Sequence, residues 1–205
     1  MSAHLSFLFV PDAKRLEWLI NMERIDIRLK ESDRQILKSI IGKTLDCIEH
    51  DEITFTNSSS PVVKISSYGE TIFLYSFVEA LDFYGSTEDV AVWTVEKTEY
   101  PLVAEKSFIK MPIQQTITKI SLIQENQQMF DQGVQTYDVW VTRGIIIDVG
   151  DHQISFEKPV WFSEDIIIRK GYELQKTFRS AEAITNAENW NDGMEMTCSR
   201  NVETL

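Results

Sequence analysis

The apolar positions of this chain keep helical spacing most clearly in residues 33–49 and mostly alternate beyond residue 50. Between residues 33 and 49, Ile36, Leu37, Ile40, Ile41, Leu45 and Ile48 recur at helical spacing. Asp33, Arg34, Lys38, Lys43, Asp46 and Glu49 fall mostly on the other side. Ser32 to Gln35 reads as a capping box ahead of that stripe, with a hydroxyl for the third helical N–H and Gln35 reaching back. The pattern predicts one well-marked amphipathic helix near residues 33–49, with Cys47 on its apolar side. His50 is then near the C-terminal end, where the helix dipole favours a cation. A shorter helix is expected after Pro11, with Asp12 as its cap. Between the two, residues 24–30 alternate charged and apolar side chains, the period of a strand with one wet face.

Beyond residue 50 the alternation is that of strands. Residues 63–78, broken by Tyr68-Gly69-Glu70, read as a hairpin. Residues 90–95 are apolar on both faces, as in a central strand. Residues 137–156 form the best hairpin pattern, turning at Gly150-Asp151, with Gly144 marking a bulge. Residues 124–133 are polar throughout and fit a short helix or a loop. A short helix is expected near residues 180–190. Residues 191–205 have little apolar content and read as a flexible C-terminal tail.

These elements predict an α+β fold that is predominantly antiparallel β, a two-layer sheet or sandwich with the 33–49 helix on one face. Helices come early and strands later, which argues against alternating βαβ units. The expected organisation is a single domain over residues 1–190. An alternative boundary lies near residues 100–115, where Pro101 and Pro112 bracket the chain.

Charge changes the picture more than composition does. The chain of 205 residues carries 20 basic and 32 acidic side chains, a net −12. Residues 51–100 hold 2 of the basic and 9 of the acidic groups, net −7. That field repels phosphate backbones and attracts a basic protein partner, so nucleic acid is not expected as a ligand. Solubility is the plainer use of the same charge. Two cysteines, Cys47 and Cys198, make no disulfide framework. No leader pattern opens the chain and no stretch reaches the ~18 apolar residues of a membrane span, so a cytoplasmic protein without membrane contact is expected.

Candidate chemistry is sparse. Glycines do not fall at dinucleotide or phosphate-loop spacing, and no nucleophile elbow is present. His4, His50 and His152 are isolated, which points to no metal and no cofactor. Asp148, Asp151, Glu157, Glu164 and Asp165 surround one hairpin. Glu157 and Lys158 are adjacent, however, so a strand points them to opposite faces, and no Glu-x-Lys pair is formed.

Two stretches mix aromatic rings with carboxylates: Asp82, Phe83, Tyr84, Glu88 and Asp89 around a turn at Gly85-Ser86, and Trp161, Phe162, Glu164 and Asp165. Rings supply contact area and acids steer a basic partner. The plainer alternative is a sheet-end loop with its rings in the core and its acids in water. The leading expectation is a non-enzymatic, acidic protein–protein interaction module of the inhibitor, immunity-type or assembly-adaptor kind. Two alternatives stand beside it. One is a small hydrolase or lyase using the carboxylates of residues 148–165. The other is a structural component of a homo-oligomer built through exposed edges such as residues 24–30.

Overall fold

A computed structural model describes residues 24–51, 58–59, 62–100, 108–188 and 193–205. The expected helix after Pro11 and the segment 101–107 of the alternative boundary lie outside them. The described chain is mostly antiparallel β sheet with few helices.

Its elements are β1 (Ile25–Ile27), α1 (Glu31–Lys38), β2 (Thr44–Asp51), β3 (Ser58–Ser59), β4 (Val62–Ser67), β5 (Glu70–Phe83), β6 (Ser86–Glu96), β7 (Phe108–Asp131), β8 (Val134–Val149), β9 (His152–Glu157), β10 (Ile166–Gly171), α2 (Ala181–Glu188) and β11 (Met194–Thr204). A single 3-10 turn, Leu174–Thr177, precedes α2. The strands join in the order β3-β10-β9-β8-β7-β2-β4-β5-β6. β11 pairs with β7, and β1 runs parallel to β8.

The helix expected over residues 33–49 is half that length. It starts two residues earlier than the capping box implies, with the Lys30 N–H donating to Asp33 Oδ2 at 3.2 Å. Gln35 bonds Glu31 instead. Gly42, at φ +83°, takes the chain out of helical space, and its N–H donates to the Ile117 carbonyl at 2.8 Å. Residues 44–51 are then strand, so Cys47 and His50 lie in β2.

A β-bulge explains the misleading spacing. Register slips between Leu45 and Cys47 against both neighbours. An extra residue in a strand lets Leu45 and Ile48, three apart, both enter the core, where alternation alone would send them to opposite faces.

Two other expectations give way to pairing partners distant in sequence. Residues 124–131 are strand, not helix or loop, because β7 is bonded by β8 on one side and β11 on the other. Its buried polar side chains are answered there: Thr142 Oγ1 donates to Gln124 Oε1 at 2.8 Å, and Arg200 pairs with Glu125. Residues 194–204, expected as a frayed tail, pair with β7 rung by rung from Met194–Asp131 to Thr204–Ser121. Gly144 does stand at a bulge, which leaves Arg143 unpaired in the β7–β8 register. A Cβ there would collide with the Phe178 ring and the Phe156 carbonyl.

The largest core cluster runs from Leu37 and Ile40 through Leu45, Leu74 and Trp93 to Ile147 and Phe156. A second joins β6 to β1 and β8 through Val90, Val92, Ile27, Val139 and Val141.

Candidate interaction surface

Where β5 turns into β6, Tyr84 and Gly85 both adopt positive φ, 54° and 83°. That is the two-residue turn whose twist suits a hairpin. Asp82 Oδ1 fixes it by accepting the Gly85 N–H at 2.7 Å. The turn therefore lies one residue before the expected Gly85-Ser86. Tyr84 is clamped: its hydroxyl donates to the Asp138 carbonyl at 3.0 Å and accepts the Asp138 N–H at 2.7 Å. Burial pushes its phenol above the ordinary range, with the Asp138 N–H pulling the other way.

The two aromatic stretches meet here. Phe83 stacks on Trp161, centroids 5.2 Å apart and planes 10° from parallel. Tyr84 meets Phe83 edge-on at 5.1 Å, and Phe162 meets Trp161 edge-on at 5.2 Å. The rings are neither all core nor all surface. Phe83, Tyr84 and Trp161 are half-buried, while Phe162 is 54% exposed. Asp82, Asp89, Glu164 and Asp165 are exposed and Glu88 is half-buried. Ser86 Oγ donates to Glu88 Oε1 at 2.9 Å.

Three side chains whose roles the sequence patterns did not give, Lys158, Trp93 and Asp33, hold this end in place. They act on β6, which is last in the strand order rather than central, yet buried on both faces. Outward groups of two of its residues, Ala91 and Val95, are bonded by other parts of the chain. The Ala91 N–H donates to the Trp161 carbonyl at 3.1 Å, and the Val95 N–H to Asp33 Oδ1 at 3.2 Å. Lys158 Nζ donates to the Ala91 carbonyl and lies 4.8 Å from the Trp93 ring centroid. Trp93 in turn donates from Nε1 to the Thr142 carbonyl at 2.6 Å.

Lys158 is fully buried, and burial lowers its ammonium to about 7, with Glu164 opposing. The contacts of Lys158 are with a strand edge, the Ala91 carbonyl, and with the Trp93 ring. Asp33 is also buried, and burial raises its carboxyl against the two N–H groups it accepts. Neither role follows from hydrophobic period, which is why the sequence patterns pass over them.

The carboxylates proposed for hydrolysis do not come together. Asp148 pairs with Lys119 at 3.3 Å and accepts from Gln153 at 2.7 Å. Asp151 pairs with His152 at the turn. Glu157 is buried four rungs away, held by Arg169 at 2.5 Å and Arg143 at 3.4 Å. As expected for neighbours on a strand, Glu157 and Lys158 serve different partners. Among the described residues no three His, Cys, Asp or Glu side chains cluster as metal ligands, and no helix is long and apolar enough to cross a membrane. Burial, then Glu125, push the Cys198 thiol up to about 12, far from a reactive thiolate.

On the β1 side, the charges of the expected 24–30 strand face water. Arg24 and Arg28 stack on Trp140 at 4.9 and 4.8 Å, and Arg24 pairs with Asp138. No protein-family model, curated protein or solved structure matches the chain.

Proposed function

We propose that this protein is a non-enzymatic binding module that docks a basic protein partner on the acidic, aromatic end of its β5–β6 hairpin. The observation that carries the reading is the Phe83–Trp161 stack. It joins two acid-bearing segments 78 positions apart and leaves Phe162 exposed at their junction. Between Lys64 and Lys97 the chain carries Glu70, Glu79, Asp82, Glu88, Asp89 and Glu96 and no basic residue. An exposed ring with Glu164 and Asp165 beside it in sequence suits a partner that carries the opposite sign.

The architecture we infer to support this surface is two-layered, with β6 packed over β1 and β8 through the shared apolar cluster. The two free thiols favour a cytoplasmic setting.

The test is capture by the intact chain followed by mass spectrometry. The unmodified protein is compared with Phe162→Ala and with a combined Asp82→Asn, Asp89→Asn variant. Asn keeps the acceptor that holds the turn. The expected catch is rich in lysine and arginine, is released by roughly 0.5 M salt, and is lost from both variants. A catch that is identical in all three proteins, or indifferent to salt, overturns the reading.

A further inference from the structure

Antiparallel pairing alternates the direction of backbone groups. In the β5–β6 hairpin, closed by Tyr84 and Gly85, the first bonded pair is Phe83 with Ser86. Bonded pairs then recur at Leu81–Glu88, Glu79–Val90 and Phe77–Val92. The N–H and C=O groups of Val78, Ala80 and Asp82 therefore point away from β6. The same alternation sends the Ala91 and Val95 N–H groups outward on β6, where Trp161 and Asp33 accept them.

On the β5 side nothing equivalent is found among the described residues. β4 ends opposite Tyr75, at Val62. Among the described residues, no donor or acceptor meets the outward groups of Val78, Ala80 and Asp82. Val78 is 41% exposed, and Glu79, Ala80 and Asp82 are exposed around it. Among the described residues the result is a stretch of strand with one bonded edge and one open edge, about 17 Å long at 3.4 Å per residue. An open edge of this kind is a template for a further strand.

We propose that the open edge of β5 over residues 78–82 takes up an extended, lysine- or arginine-bearing segment of the partner as an added β-strand. This rests on the binding role argued above and gives the contact its geometry. Charge selects the occupant. Glu79 and Asp82 lie on the edge itself, and an added strand sets its side chains directly opposite or diagonal to them. The two point to opposite faces of β5, so a basic side chain on either face of the added segment meets one of them. A second copy of this chain would bring the same acids against each other, with no basic residue anywhere between Lys64 and Lys97 to answer them. Like charges facing across strands are destabilising, so self-pairing is disfavoured while a basic strand is accepted.

The test uses the full chain, labelled with 15N, and a capped peptide of about eight residues alternating lysine and valine, with a glutamate–valine peptide as control. Amide hydrogen exchange is read residue by residue at about 50 mM salt. The lysine peptide should slow exchange at Val78, Ala80 and Asp82 by at least about tenfold. Glu79 and Leu81, already bonded to β6, should change far less. Ala80→Pro keeps the ladder to β6, because residue 80 points its N–H outward, and it should weaken peptide binding by at least about tenfold.

Salt-sensitive binding without the alternating exchange pattern, or with equal affinity for Ala80→Pro, overturns strand addition but leaves the acidic docking surface standing. Absence of lysine-peptide binding also overturns strand addition, and the Phe162→Ala capture then judges the parent reading by itself. Equal protection by the glutamate peptide overturns the selection of a basic strand. Protection that grows with protein concentration alone makes a second copy the occupant and overturns the proposal. If Ala80→Pro does not fold, the exchange pattern of the unmodified chain decides.

Discussion

The two edges of the β5–β6 hairpin carry the same kind of backbone and are treated in opposite ways. On β6, the outward groups of Ala91 and Val95 are bonded by Trp161, Lys158 and Asp33. Trp93 beneath them is fully buried and anchored to Thr142. On β5, the outward groups of Val78, Ala80 and Asp82 face outward beside exposed acids. Closing the first edge drew on side chains more than 60 positions away in sequence, with burial of a charge as the cost. Among the described residues the second edge carries no such closure, only carboxylates that repel another copy. A sheet edge need not be open by default; here one is shut by specific chemistry and one is left to charge.

The largest way to break the contrast is Trp93→Ala. It removes the anchor beneath the closed edge and should cost roughly 3–5 kcal/mol in urea denaturation. A loss under about 1 kcal/mol would mean that β6 is not held through this ring.

Next comes a matched pair. Ala91→Pro and Ala80→Pro are the same substitution at outward positions on the two edges. The first deprives the Trp161 carbonyl of its donor and forces a ring into a filled space, at roughly 2–4 kcal/mol. The second should stay within about 1 kcal/mol. Equal losses, read from thermal or urea unfolding, would erase the distinction between the edges.

The last test is a pH slope. Unfolded Lys158 holds its proton up to its ordinary 10.5, whereas the folded protein releases it at about 7. Between those values the unfolded chain binds more protons, so stability rises with pH, by up to about 1.4 kcal/mol per unit. Below about 7 the burial penalty is present in full. Lys158→Met should flatten that rise in urea midpoints taken between about pH 7 and pH 10. A variant with an unchanged slope assigns the dependence to another group.

The hairpins were legible from alternation alone: β4–β5, β8–β9 and the bulge at Gly144 lie where the pattern puts them. The 33–49 helix was half legible. Its second half mimics helical spacing only because an extra residue in β2 shifts Leu45 and Ile48 onto one face. The strand nature of residues 124–131 and 194–204 was hidden, since polar strands give no periodic signal and owe their pairing to partners far along the chain. For the candidate surface, the rings and acids were visible as two separate stretches. Their union through Phe83 and Trp161 was not, because no local pattern encodes a contact across so long a separation. Lys158 and Asp33 escaped for the same reason.

The pairing of β11 with β7 has a consequence during synthesis. The two partners that open the register, Asp131 and Met194, are 63 residues apart. A ribosome adding ~5–20 residues per second takes roughly 3 to 13 seconds to cover that distance. For that interval the nascent chain shows an unpaired flank of its longest strand, rich in glutamine and asparagine.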